Sequence, residues 1–139
     1  MADDDGAARQ MKLAQSKHRL QTKGMMVQIR DGQLDLDSVI ILLARENRYQ
    51  NLALVMSEFG RLKESAVLNA LFKVDQGPIV VLLKSLDVTE PAVKAVAEAR
   101  GRRLNLPRSM NDRMVEIWRD TDLETADKVM TLTRLRAAG

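Results

Sequence analysis

The sequence predicts an all-α fold: a compact, right-handed stack of antiparallel helix pairs, in the manner of a short HEAT-like repeat, with about eight helices. Three observations predict it. Three ten-residue phrases recur: Leu34-Asp-Leu-Asp-Ser-Val-Ile-Ile-Leu-Leu, Leu62-Lys-Glu-Ser-Ala-Val-Leu-Asn-Ala-Leu and Val88-Thr-Glu-Pro-Ala-Val-Lys-Ala-Val-Ala, spaced by 28 and then 26 residues. Each has an apolar opener, a polar stretch and a Val five residues on. Aromatic residues make up only 3% of the chain, so the core must be Leu, Ile, Val, Met and Ala, which suits close helix packing. No long run alternates at period two, as a half-buried strand would.

At 139 residues the chain is read as one all-α domain, 1–139. Residues 1–6 read as a disordered tail. Residues 7–30 contain no Pro and no acid and form an N-terminal helix that Gly24 is expected to interrupt. In that helix Leu13, Leu20, Val27 and then Leu34 recur every seven residues, and Lys12, Arg19, Lys23 and Arg30 share another face. Two readings follow: a helix lying on the rest of the domain, or an arm for dimerisation or a partner.

Helix-pair repeats fill residues 34–104. Asp31-Gly-Gln is a turn, and Asp35 or Asp37 caps a helix over 38–47. Next come 49–59, with Leu52, Val55, Met56 and Phe59 on one stripe, and 62–72, with Val67, Ala70 and Leu71 inward. Gly60 and Gly101 read as helix stops. Pro78 fits the first turn of the apolar run 79–86. Thr89 caps a helix that buries Val93, Val96, Ala97 and Leu104. After the break at Pro107, a C-terminal helix pair occupies 109–137. Ser109 with Asp112 and Thr121 with Glu124 are its cap signals. Its second helix should bury Leu123, Ala126, Val129, Met130 and Leu135.

This organisation resembles the domain-of-unknown-function 2336 family of bacterial helical-repeat proteins. The residues that carry the likeness are Gly32-Gln-Leu34-Asp-Leu, Val39 with Leu43, Asn51-Leu52-Ala-Leu-Val, Val67 with Leu71, the turn at Gly77 and Leu82-Leu83-Lys84-Ser85-Leu86. It covers roughly residues 30–100. The resemblance implies an all-α repeat fold and brings no catalytic residues.

The residues argue against most enzyme classes. There is no cysteine, which excludes thiol catalysis and cysteine–metal sites and fits a cytoplasmic location. No signal-peptide pattern opens the chain. His18 is the only histidine and sits between Lys17 and Arg19, a poor setting for a metal or a general base. Asp31, Asp35 and Asp37 superficially suggest a calcium loop, but its twelfth position is Leu42 where a Glu is needed. No cofactor is expected. Glu98 and Arg102 read as an ordinary surface pair.

One charge feature stands out. Arg100, Arg102, Arg103, Arg108 and Arg113 crowd one segment, with Trp118 following. They read either as a solvated helix end or as a contact for a partner. The expected function is a non-enzymatic protein–protein interaction module or scaffold, with self-association included. The alternative is a nucleic-acid-binding regulator using the basic 100–113 segment. Nucleic acid is otherwise expected only as weak, non-specific binding, and membrane association is not expected.

Overall fold

The computed structural model describes residues 2–138, which form eight α-helices and no strand. They are α1 (Ala2–Arg30), α2 (Leu36–Arg45), α3 (Tyr49–Gly60), α4 (Glu64–Phe72), α5 (Gly77–Ser85), α6 (Glu90–Leu104), α7 (Arg108–Asp120) and α8 (Leu123–Ala138). No helix among the described residues is long and apolar enough to cross a membrane. The chain divides into two compact units, Met1–Asp35 and Leu36–Gly139.

The first unit is one helix and its closing turn. Helix α1 starts at Ala2, not at Ala7, because no Pro interrupts the opening residues; Met1 lies outside the described residues. Gly24 does not break the helix either. A lone glycine in a helix interior weakens it by only about 1 kcal/mol, too little to stop a helix of 29 residues. Gly32, at φ 77°, ends the turn. There the Gln33 N–H donates to the Gln28 carbonyl at 2.8 Å, a Schellman closure.

The second unit has a hydrophobic core of its own, and the recurring phrases organise it. Helices α2, α4 and α6 each begin two residues after their phrase opens, at Leu36, Glu64 and Glu90. The shared valines, Val39, Val67 and Val93, are all buried, as are Leu43, Leu71 and Ala97 four residues further on. Burying each such aliphatic side chain contributes about 1.5–3 kcal/mol. Across residues 34–97 the recurring spacing therefore coincides with recurring burial.

Polar contacts fix the directions of these helices. The Thr89 N–H, before α6, donates to Asp37 Oδ1 at the start of α2 at 3.0 Å. Arg102, near the end of α6, donates to the Ala44 carbonyl near the end of α2. So α2 and α6 run parallel, as equivalent helices of a repeat should. Helix α7 runs back along α6, because Arg119 near its end pairs with Glu90 at the start of α6. Helix α6 packs against α2, α4 and α7. Its buried Ala92, Ala95, Ala97, Ala99 and Gly101 are small enough to let those backbones approach. Helix α7 thus completes the third pair with α6, while α8 packs on α5.

The helix ends differ from expectation. Gly101 lies inside α6, which runs on to Leu104, whereas Gly60 is the last residue of α3 and the left-handed cap falls on Arg61. Both are glycines because of packing. A Cβ on Gly60 would sit 2.7 Å from Leu82 Cδ1, and one on Gly101 would sit 2.6 Å from the Asn111 amide. The left-handed turns fall instead on Asn47, Arg61, Asp87 and Asn105, with φ between 53° and 57°. The Leu62 N–H then reaches the Ser57 carbonyl at 3.0 Å, and the Leu106 N–H reaches that of Gly101 at 3.0 Å.

Caps differ too. Thr89 holds the N-cap position of α6, but its hydroxyl makes no capping bond. Ser109 does not cap α7, which starts at Arg108 behind Pro107. Asp122, not Thr121, receives the Thr125 N–H at the start of α8, at 3.2 Å. The Thr121 hydroxyl turns back to the Ile117 carbonyl at 2.6 Å. Among the described side chains of α8 only Ala126 and Met130 are buried, whereas Leu123, Val129 and Leu135 are exposed. Helix α8 packs chiefly on α5, which covers one narrow stripe of it, so its remaining apolar residues face outward. Leu104 and Phe59 are only partly buried.

Candidate interaction surfaces

The arginine segment does not form one surface. Arg100 is 2% exposed. Its Nε donates to the Leu71 carbonyl at 3.1 Å, and its terminal nitrogens reach the carbonyls of Lys73 and Val74 and the Met114 sulfur. Leu71 to Val74 close α4, so this guanidinium satisfies carbonyls that a helix end leaves unbonded. Burial lowers the pKa of Arg100, and the nearby charge of Asp75 opposes that shift. Because it is buried, Arg100 is not the surface contact that its neighbourhood in the sequence suggests.

Arg102 serves α2 in the same way, through Nε to Asn47 Oδ1 at 2.9 Å and a terminal nitrogen to the Ala44 carbonyl at 3.0 Å. It reaches past Glu98, its expected neighbour, to do so. Arg134, which the sequence does not single out, clamps the end of α3 by two bonds to the Gly60 carbonyl, at 3.0 and 2.7 Å. Three helix C-termini thus each receive an arginine from another helix, an arrangement favoured by the helix dipole. Arg103 lies over the Phe72 ring, 5.0 Å from its centre, and Phe72 meets Tyr49 edge-on at 5.8 Å. Arg108 is exposed. Arg113 is exposed and lies 3.6 Å from Glu116. Trp118 is partly buried under the Lys84 ammonium, 4.4 Å from the ring centre, and its buried indole N–H meets no acceptor.

Two of the hollows in the second unit lie between packed helices. Between α6 and α7 is a charged cleft of about 340 Å³, with Glu90, Lys94, Glu98, Arg108, Asp112 and Arg119 among its walls. The Glu90–Arg119 hydrogen bond lowers the pKa of Glu90 and raises that of Arg119. The cleft mixes both charges. Between α4, α5 and α8 is an apolar groove of about 330 Å³, floored by Val67 and Leu82 and rimmed by Leu62, Val81 and Val129.

In the first unit, the apolar row of α1 is open. Leu13 is 70% exposed, Leu20 70% and Val27 51%. All three fall on one face, and Arg9, Lys12, Lys17 and Lys23 are exposed beside them. His18 is on α1, partly exposed, and its carbonyl accepts the Thr22 hydroxyl at 2.9 Å. Among the described residues no cluster of three His, Cys, Asp or Glu side chains could hold a metal ion. The seven-residue spacing reveals the α1 row in the sequence, but its openness is not legible there. The Arg134 clamp bridges residues 74 apart and leaves no local signal. Set beside known proteins, the chain matches no family model, no curated protein and no solved structure.

Proposed function

We propose that the protein is a non-enzymatic interaction module, and that α1 presents its docking face. The observation that carries this reading is the open row of Leu13, Leu20 and Val27. A helix that exposes a large aliphatic residue every second turn, in line, loses hydrophobic stabilisation unless something covers it. The rest of the chain supports a scaffolding role. Arg100, Arg102 and Arg134, the chemistry-bearing side chains of the interior and its rim, hold helix ends together. The resemblance to the bacterial helical-repeat family agrees with such a role, because stacked helix pairs are a common support for binding surfaces. A cytoplasmic setting suits a chain without cysteine. The basic 100–113 segment offers a weaker case as a nucleic-acid contact, since Arg100 and Arg102 already serve helix ends.

The test is capture from native extract by the immobilised wild-type chain and by the variant Leu13→Gln, Leu20→Gln, Val27→Gln. All three positions are exposed, so the variant keeps the fold, which circular dichroism checks. The proposal expects a protein retained by the wild type and lost by the variant. Identical retention by both would refute it.

A further inference from the structure

We infer that the α1 face receives an acidic amphipathic helix from another protein. This rests on the reading of α1 as a docking face and names the chemistry of what docks there. Leu13, Leu20 and Val27 make a seam one side chain wide, the width a single helix covers. Its flanks carry only positive charge. Between Gly6 and Arg30 the sequence holds no Asp or Glu. At 100° per residue, Arg9 and Lys17 lie within about 40° of Leu13 on either side, and Lys12 and Lys23 lie within about 100° on one side. An occupant that covers the seam must bring Leu- or Val-like side chains to it and set carboxylates against these cations.

The charges disfavour the simplest occupant, the same helix of a second copy. In a parallel pair of α1 seams, Arg9, Lys12, Lys17 and Lys23 would face their own copies; in an antiparallel pair with Leu20 on Leu20, Lys17 would still face Lys23, and only Arg9 would meet an acid, Asp31. A lipid surface fits poorly as well. All four aromatic residues, Tyr49, Phe59, Phe72 and Trp118, lie outside α1, and a membrane-lying helix needs a broad apolar face with such anchors. Duplex nucleic acid would use the cations and leave the aliphatic seam wet.

Fluorescence anisotropy with the full chain tests this. The probe is a synthetic helix of about four heptads, with Leu on one seam and Glu at the flanks. A second peptide keeps the seam but carries Gln for Glu. The inference expects the Glu peptide to bind at least about tenfold more tightly than the Gln peptide, and to weaken as salt shortens the range of the charges. The variant Leu13→Gln, Leu20→Gln, Val27→Gln should lose about tenfold or more for the Glu peptide, and Lys12→Gln, Lys17→Gln, Lys23→Gln should do the same. Equal binding of both peptides would overturn the inference. So would stripe-dependent binding of phosphatidylserine vesicles or duplex DNA without binding of the Glu peptide, or a stripe-dependent dimer in light scattering. If capture from extract still depends on the stripe while the Glu peptide fails, only the acidic-helix inference falls. If the stripe variant retains every captured protein, the docking reading beneath it falls as well.

Discussion

Gly60 and Gly24 stand in the same kind of backbone and should respond oppositely to a methyl group. At Gly60 the added Cβ would press on Leu82, which is itself 2% exposed and hemmed in by the core. Gly60→Ala should therefore destabilise by about 1–3 kcal/mol, as overpacking does. At Gly24 nothing lies within 4 Å, so Ala should raise helicity and stability by about 0.5–1 kcal/mol. Arg61, left-handed at φ 55°, should gain about 1 kcal/mol on change to Gly, which carries no Cβ penalty there. Urea unfolding of the three variants reads all three signs. Arg100→Met keeps the apolar length of the side chain and removes the fork. The carbonyl of Leu71 would then be buried without its donor, and the loss should be about 1–3 kcal/mol.

At the scale of the element, the recurring valines offer a sharper test than any one of them alone. Val39, Val67 and Val93 open equivalent helices and are each at most 2% exposed. A carboxylate at any of the three must be desolvated or protonated in an aliphatic setting. Each Val→Asp change should lose at least about 3 kcal/mol. Near-wild-type melting in one of the three would show that its helix is not equivalent to the others. The clasp between α6 and α7 makes a pH prediction. The hydrogen bond from Arg119 lowers the pKa of Glu90, so its contribution is present above the unfolded pKa, near 4.5, and is lost as pH falls through the lower folded value. Both side chains are exposed, so the effect is small and salt-sensitive. Stability of Glu90→Gln relative to wild type, followed by denaturant from neutral to acid pH, should show a constant deficit that closes below that window.

Across the whole molecule, what was legible in the sequence follows from distance along the chain. The repeats were legible because Val39, Val67 and Val93 keep a fixed place after each opener, and burial imposes that place. The helix ends were not, because Asn47, Arg61, Asp87 and Asn105 take the left-handed turns in place of glycine. Gly60 and Gly101 answer instead to side chains from other helices. The arginine cluster misled for the same reason. Adjacent in sequence, Arg100 and Arg102 part in space to serve α4 and α2, over separations of 29 and 58 residues. The seam of α1 was visible as a seven-residue period, but only the structure shows it open. Carbene footprinting of the wild-type chain, in buffer and in native extract, tests its role most directly. Labelling of Leu13, Leu20 and Val27 should fall in extract while that of Leu135, as exposed as they are in buffer, stays unchanged. Equal labelling of the stripe in buffer and in extract would contradict the docking role of α1.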